Sequence, residues 1–545
     1  MSEPTSDRTK KTGKSLLNIA GIVAVATLLS KVFGLLRQMA IAAAFGAGPT
    51  YDAYNYAYVV PGFLLILLGG INGPFHSAIV SVISKRKPEE AAPLIETVNT
   101  LVGMLLLVVS VLLFVFATPL IDIYAPGLGQ TPEGLVTRTI AIEQFRIMAP
   151  MALLAGLIGI GFGALNAADH FWLPSISPLL SSVTVIVGIG GMALVLRDRI
   201  FEPQYMLLGG QILAYSTLAG AILQWLAQLP AIAKSGLGGL RLRFNFKQQG
   251  VKEIMQILGP ATFSSGMMQI NVYTDLFFAS TIPQAASALS YATLLVQTPL
   301  GIFSNVILVP LLPMFSRLAD PSDWPELKLR IRQGIMLTAV TMLPLSALMM
   351  ALALPMVRVA YERGAFTKDT SQFVASVLIA YSVGMFVYLG RDVLVRVFYA
   401  LGDGDTPFRI SIVNIGINAF LDYFLIKPFG APGLVLATVG VNLISMGALL
   451  WCLDRKLHGL PWQAWGIPVL QLTFVSAIAG CATWVTLKGS QYILGSEGLL
   501  VILFQLCLAG AVGLILFAFL VVRLNLPEVS TVVDRLRQRL FRSKA

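Results

Sequence analysis

Ser15–Pro61 reads SLLNIAGIVAVATLLSKVFGLLRQMAIAAAFGAGPTYDAYNYAYVVP. It is one long apolar run, then a Gly/Pro turn, then a second run opened by Asp52. A membrane-crossing helix needs about 20 apolar residues, and the first run exceeds that. Ser30, Lys31, Gly34 and Arg37 interrupt it. A cation inside a spanning segment is costly, so it either faces a protein interior or water-filled cavity or snorkels to the headgroups. Both readings stand for Lys31 and Arg37, and Arg37 is far enough along the run to approach an interface.

The same texture continues through the chain. Its 545 residues are 56% hydrophobic and 12% charged, against about 25% charged in an ordinary soluble domain. Apolar runs recur to about residue 523 and predict an all-α polytopic membrane protein of about 14 helices. An even count puts both termini on one side. With that side cytoplasmic, about 25 Lys/Arg fall in inside segments and about 7 in outside loops, as the positive-inside bias expects. The net charge of +11 therefore reads as topology and gives no nucleic-acid signature. Cys452, Cys481 and Cys507 have no metal-ligand spacing, and His76, His170 and His458 are scattered.

The expected organisation is a disordered cytoplasmic tail over 1–14, six helices over 15–230 and a cytoplasmic linker over 231–251. Six more helices follow over 252–455, then a final pair over 456–524 and a basic tail over 525–545. That tail has apolar residues at helical spacing with five cations, and reads either as an interfacial helix or as a solvated segment. The two six-helix parts look related. Tyr56-Ala57 before Pro61 corresponds to Tyr291-Ala292 before Pro299, and Ala164-Leu165 before Pro174 to Ala400-Leu401 before Pro407, each about 235 residues apart. Repeated halves are a transporter architecture with a site at the repeat interface.

Polar residues survive in the second half. Asp275 is in the seventh run, Asn414, Asn418 and Asp422 in the eleventh, Thr438 in the twelfth. Asn418 and Asp422, four apart, share a helical face. Carboxylates, a carboxamide and a hydroxyl form an all-oxygen set suited to a hard cation such as Na⁺; separately hydrogen-bonded structural carboxylates are the alternative. Arg391-Asp392 with Arg396, and Arg138, Glu143 and Arg146, read as local ion pairs or snorkelling groups. No nucleotide loop, catalytic triad or metal motif indicates an enzyme.

Several stretches resemble the MurJ/MviN lipid II flippases: SKVFGLLRQ…FGAGPTYDAYNYAYVVP, Gly259-Pro260, ASTIPQAASALSYATLLVQTPLGIF from Ala279, YERGAFT from Tyr361 and FYALGDGDTP from Phe398. The resemblance spans essentially all the runs. It implies the fold of the multidrug/oligosaccharidyl-lipid/polysaccharide exporter superfamily: two six-helix lobes in a V, with the last two helices forming a groove for lipid tails. It implies alternating-access movement of lipid II, the undecaprenyl-pyrophosphate-linked peptidoglycan precursor, to the outer leaflet of a bacterial inner membrane. The implied partners are lipid II, membrane lipids and the cell-wall synthesis machinery. By the same resemblance Ser30, Lys31, Arg37 and Asp52 belong to the substrate site. Asp275, Asn418, Asp422, Thr438 and the backbone of Leu434 match a Na⁺ site known in some members, and a proton could replace the ion. Family charges in the second and eighth helices fall near Leu65-Ile66, Leu294 and Gln297, which are uncharged here, and the acid after the second arginine is Gln38. An exporter of another lipid-linked glycan or amphipathic small molecule, and a non-transporting cell-wall scaffold, remain as alternatives.

Overall fold

The computed structural model describes residues 6–70, 73–267 and 270–524, and every regular element among them is helical. The chain divides into two compact units, Met1–Ser287 with Arg363–Phe366, and Ala288–Glu362 with Thr367–Ala545.

The first unit runs α1 (Ser6–Phe45), α2 (Pro49–Gly69), α3 (Pro74–Ile83), α4 (Pro88–Val115), α5 (Ala117–Tyr124), α6 (Pro132–Met148), α7 (Met151–Ala167), α8 (Trp172–Ile176), α9 (Pro178–Leu196), α10 (Met206–Leu226), α11 (Leu229–Lys234), α12 (Gln249–Met267) and α13 (Ile270–Ala279). Five of these open on proline, whose fixed φ suits the first helical position and whose missing N–H would have no partner there. One core cluster joins α3, α4 and α7 through Phe75, Ile79, Leu94, Val98, Ile160 and Leu165. Gln144 on α6 ties the interior together, donating to the Gly210 carbonyl on α10 at 3.1 Å and the Thr50 carbonyl on α2 at 3.4 Å.

The segment after α11 is fastened to α4. Glu96, buried on α4, accepts the Gly239 N–H at 3.0 Å and the Arg243 guanidinium, and the Thr100 hydroxyl accepts the Arg243 N–H at 3.0 Å. Helix α1 begins at Ser6, so residues 6–14, expected as a disordered tail, are helical. Once an apolar helix is nucleated, Lys, Arg and Thr extend it at a few tenths of a kcal/mol each. The expected interfacial helix at 525–545 lies outside the described residues.

The second unit holds α14 (Ala285–Ser316, whose first three residues belong to the first unit), α15 (Trp324–Tyr361), α16 (Lys368–Val383), α17 (Met385–Ala400), α18 (Asp405–Phe429), α19 (Ala431–Lys456), α20 (Trp462–Leu494) and α21 (Leu499–Arg523). Helix α15 packs on the pair α20 and α21 through Ala339, Leu348, Leu472, Ala479 and Phe517. Gln505 on α21 donates to the Gly495 carbonyl at 2.8 Å, and Arg358 on α15 to the Ser496 carbonyl at 2.8 Å, which fixes the turn between them. Outward faces are apolar: Leu194, Val195, Leu500 and Ile515 are all more than two-thirds exposed. In water such a surface would be an aggregation liability; in a bilayer it is solvated by acyl chains.

Among the described residues eleven stretches are long and apolar enough to span a membrane, or twelve if α6 and α7, bent by 42°, count as one. Two of the expected fourteen fall short. Helix α2 carries Asp52, Asn55 and four tyrosines in its opening half, and ends at Gly69. Helix α12 opens with Lys252, Glu253 and Gln256, and α13 has only 10 residues. Polar content keeps α2 and α12 out of the apolar count, and α13 is too short for it.

The sequence repeat has structural counterparts. The Tyr124 hydroxyl donates to the Tyr56 carbonyl at 2.9 Å, and the Tyr361 hydroxyl to the Tyr291 carbonyl at 3.3 Å. Thr131 caps α6 through the Gly134 N–H, and Thr367 caps α16 through the Thr370 N–H. Each member lies about 235 residues from its counterpart.

Candidate functional site

The interruption of the first apolar run gains surroundings from α2. Tyr51, Tyr54 and Tyr58 recur at helical spacing and stack in a row, with ring centroids 6.0 Å and 5.3 Å apart. Gln38 of α1, buried, donates to the Tyr51 hydroxyl, and the Tyr54 hydroxyl meets Thr217 Oγ1 on α10 at 3.1 Å. The Arg37 guanidinium is near enough to the Tyr54 and Tyr58 hydroxyls to act on both electrostatically. It is half-buried, and its buried Nε has no hydrogen-bond partner. A guanidinium against phenol hydroxyls in a low-dielectric interior is a donor set for a doubly charged oxyanion.

Ser30 is half-buried on the same helix and Lys31 is exposed. Asp52, which the resemblance assigns to the substrate site, is engaged elsewhere. It is buried, and its Oδ1 accepts the Ser287 N–H at 2.9 Å, with the amides of Gln284 and Ala286 also turned toward it. It thus caps the first turn of α14, where unpaired N–H groups and the helix dipole favour a carboxylate. The tyrosine row and Thr217 were absent from the sequence-derived site. The 51, 54, 58 spacing was a usable signal; Thr217, some 160 residues away on α10, had none.

The second polar set is in part assembled. Asn418 and Asp422 are both buried on α18, and Asn418 Nδ2 donates to Asp422 Oδ2 at 2.8 Å. On α19 the Thr438 hydroxyl donates to the Leu434 carbonyl at 3.2 Å. A Cβ on Gly433 would stand 2.2 Å from the Leu425 carbonyl, and one on Gly440 would stand 3.2 Å from Leu421 Cδ1. These two approaches hold α18 and α19 close together on the segments that carry Asp422 and Thr438. The packed α18–α19 pair therefore carries carboxylate, carboxamide, carbonyl and hydroxyl oxygens, the ligand types a hard cation takes. Asp275 belongs to α13 of the first unit, and Asn414 is buried one turn before Asn418.

Arg138, Arg146 and Arg391 form local ion pairs. Arg138 grips Asp122 with two bonds of 2.6 and 2.8 Å, and Arg146 meets Glu143 at 3.4 Å. Arg391 lies 3.6 Å from Asp392, and its other nitrogens donate to Ser445 on α19 and Ser411 on α18. The bond to Ser445 and the one to Ser411 make Arg391 a three-helix tie rather than only a local pair.

The family model described as lipid II flippase MurJ matches residues 41–503. A probable lipid II flippase MurJ of Synechocystis sp. is 57% identical over 98% of this chain and 99% of its own length. The lipid II flippase MurJ of Burkholderia cenocepacia is 28% identical over 87% of this chain and 90% of its own. Among solved structures, a lipid II flippase MurJ in an inward closed conformation superposes with a TM-score of 0.73 at 22% identity, over 92% of this chain and 99% of that one. An inward-facing multidrug transporter of the MATE family, MOP superfamily, superposes with a TM-score of 0.61 at 16% identity over 81% of this chain. With a matched segment of this length and a relative this similar from end to end, the chain belongs to the lipid II flippase MurJ family of multi-pass membrane proteins.

Proposed function

We infer that this protein is a lipid II flippase that carries the undecaprenyl-pyrophosphate-linked precursor across the inner membrane by alternating access. The observation that carries the reading is 57% identity to a probable lipid II flippase along nearly the whole chain. Arg37 is the principal pyrophosphate partner, with the Tyr58 hydroxyl beside it and Lys31 as a second, exposed point charge. Ser30 borders this site. Asp52 shapes it by holding the start of α14. Transport rather than catalysis is the whole of the activity.

Na⁺ is the coupling ion, held by Asn418, Asp422, Thr438 and the Leu434 carbonyl; a proton on a carboxylate is the alternative carrier. Bound Na⁺ supplies positive charge that neutralises buried carboxylate. It biases transport only if its affinity differs between the two access states. Both termini are cytoplasmic, on the Lys/Arg distribution, and cysteine labelling of either terminus from outside would reverse that topology.

A second reading, export of a different lipid-linked glycan, draws on Leu65, Ile66, Leu294 and Gln297, where no cation stands. The deciding experiment is rescue of a bacterial strain depleted of its own lipid II flippase. Rescue by the wild-type chain and its loss in Arg37→Ala, at equal membrane abundance, is expected. Failure of the wild type to rescue while it inserts normally would favour the second reading, and full rescue by the Lys31→Ala, Arg37→Ala double variant would remove the clamp.

A further inference from the structure

We propose that residues 237–247 form a strap that binds one anionic phospholipid of the surrounding membrane: an acyl chain enters the cavity beneath it and Arg241 takes the headgroup phosphate. The cavity, about 520 Å³, lies within the first unit between α4, α7, the end of α10 and the strap. Its lining on α4 runs from Ile95 to Leu107, about 18 Å at the helical rise, so the space is elongated. The two ends differ. Asn99 and the strap residue Arg241 line it where Glu96 and Thr100 fasten the strap to α4, while Met104, Leu107, Leu153 and Leu157 line the rest. A polar, cationic mouth on a long apolar channel complements a chain with an anionic head, and a compact polar solute would leave the channel unfilled.

The strap is built rather than loose. Buried Glu96 holds both Gly239 and Arg243, which leaves Arg243 neutralised. Arg241 forms no ion pair among the described residues and is exposed. Leu240, Leu242 and Phe244 alternate with the arginines and are 71%, 77% and 63% exposed. Three large apolar side chains beside basic ones on an extended segment form the pattern of a surface seated in the headgroup region.

The test is native mass spectrometry of the detergent-solubilised full chain with phosphatidylglycerol or phosphatidylcholine, with inorganic phosphate as the head-only probe. Wild type is expected to retain phosphatidylglycerol over phosphatidylcholine by about fivefold, the factor one basic residue contributes at an anionic surface. Arg241→Gln abolishes the preference. In Gly103→Leu retention of both lipids falls, since a Cβ there meets only Leu153 and Leu157 side-chain atoms at 3.9 Å and the larger group enters the channel. Equal retention of the two lipids by wild type overturns the proposal, as does preference unchanged in Arg241→Gln. Binding of inorganic phosphate that matches the phospholipid overturns the acyl-chain half. Arg241 is exposed, so its variant decides the matter even if Gly103→Leu fails to fold.

Discussion

At the scale of single residues, two sequence motifs explain each other. Gly364, in the YERGAFT stretch, has φ +59°, and a Cβ on it would stand 2.2 Å from the Ala43 carbonyl. The Ala365 N–H donates to that carbonyl at 2.9 Å, and a Cβ on Gly46 of the FGAG stretch would stand 2.6 Å from the Ala365 carbonyl. Gly364→Ala should cost about 2 kcal/mol or more, left-handed strain plus collision. Gly402 has φ +71° with open space around it, so Gly402→Ala should cost only about 1 kcal/mol. Thermal unfolding in detergent separates the two; equal losses would refute the steric part. Asp403, in the loop before α18, gives a pH signature. Burial pushes its carboxyl up, but Lys456 at 2.7 Å and the Thr406 amide and hydroxyl outweigh that and hold it below the ordinary range. A depressed carboxyl stabilises the fold fully above the unfolded value, about pH 4, and the contribution fades as pH falls through the folded value. The melting-temperature gap between wild type and Asp403→Asn should therefore hold from pH 7 to 5 and close toward pH 3.

At the scale of elements, α2 and the α18–α19 pair use polar residues differently. Helix α2 spends its first half on a tyrosine row that places hydroxyls beside Arg37, at the expense of hydropathy. Tyr58→Phe should keep the fold and reduce rescue several-fold, about one charge-assisted hydrogen bond, while Arg37→Ala removes it. A Tyr58→Phe variant that transports like wild type would confine the site to α1. On the α18–α19 pair, Asp422→Asn and Asn418→Leu should each abolish Na⁺-dependent thermal stabilisation, whereas Cys452→Ala should retain it. Na⁺ stabilisation undiminished in Asp422→Asn would place the ion elsewhere.

At the scale of the whole molecule, the repeat makes equivalent tyrosines comparable. Tyr124→Phe and Tyr361→Phe each remove one buried hydroxyl donating to a helical carbonyl, worth about 1 kcal/mol. Their hydroxyls donate to different carbonyls, so the double variant should lose the sum within about 0.5 kcal/mol. Unfolding measurements showing that only one of the two matters would mean the repeat is no longer symmetric in energy.

How far the sequence could be read depended on the range of each interaction. Hydropathy is summed over some 20 neighbouring residues, so the all-helical membrane class, most spans and the repeat were legible, as was the Asn418–Asp422 pair, one turn apart. The resemblance carried the family. What lay beyond reading were contacts between residues distant in sequence. Asp52 opens the second run close in sequence to Lys31 and Arg37, yet it caps α14 more than 230 residues away. The segment 231–251 looks like a free linker, yet Glu96 straps it to α4. A buried carboxylate must find donors, and composition fixes that need without naming the donor. Which amide or guanidinium meets it is decided only when helices far apart in the chain are packed side by side.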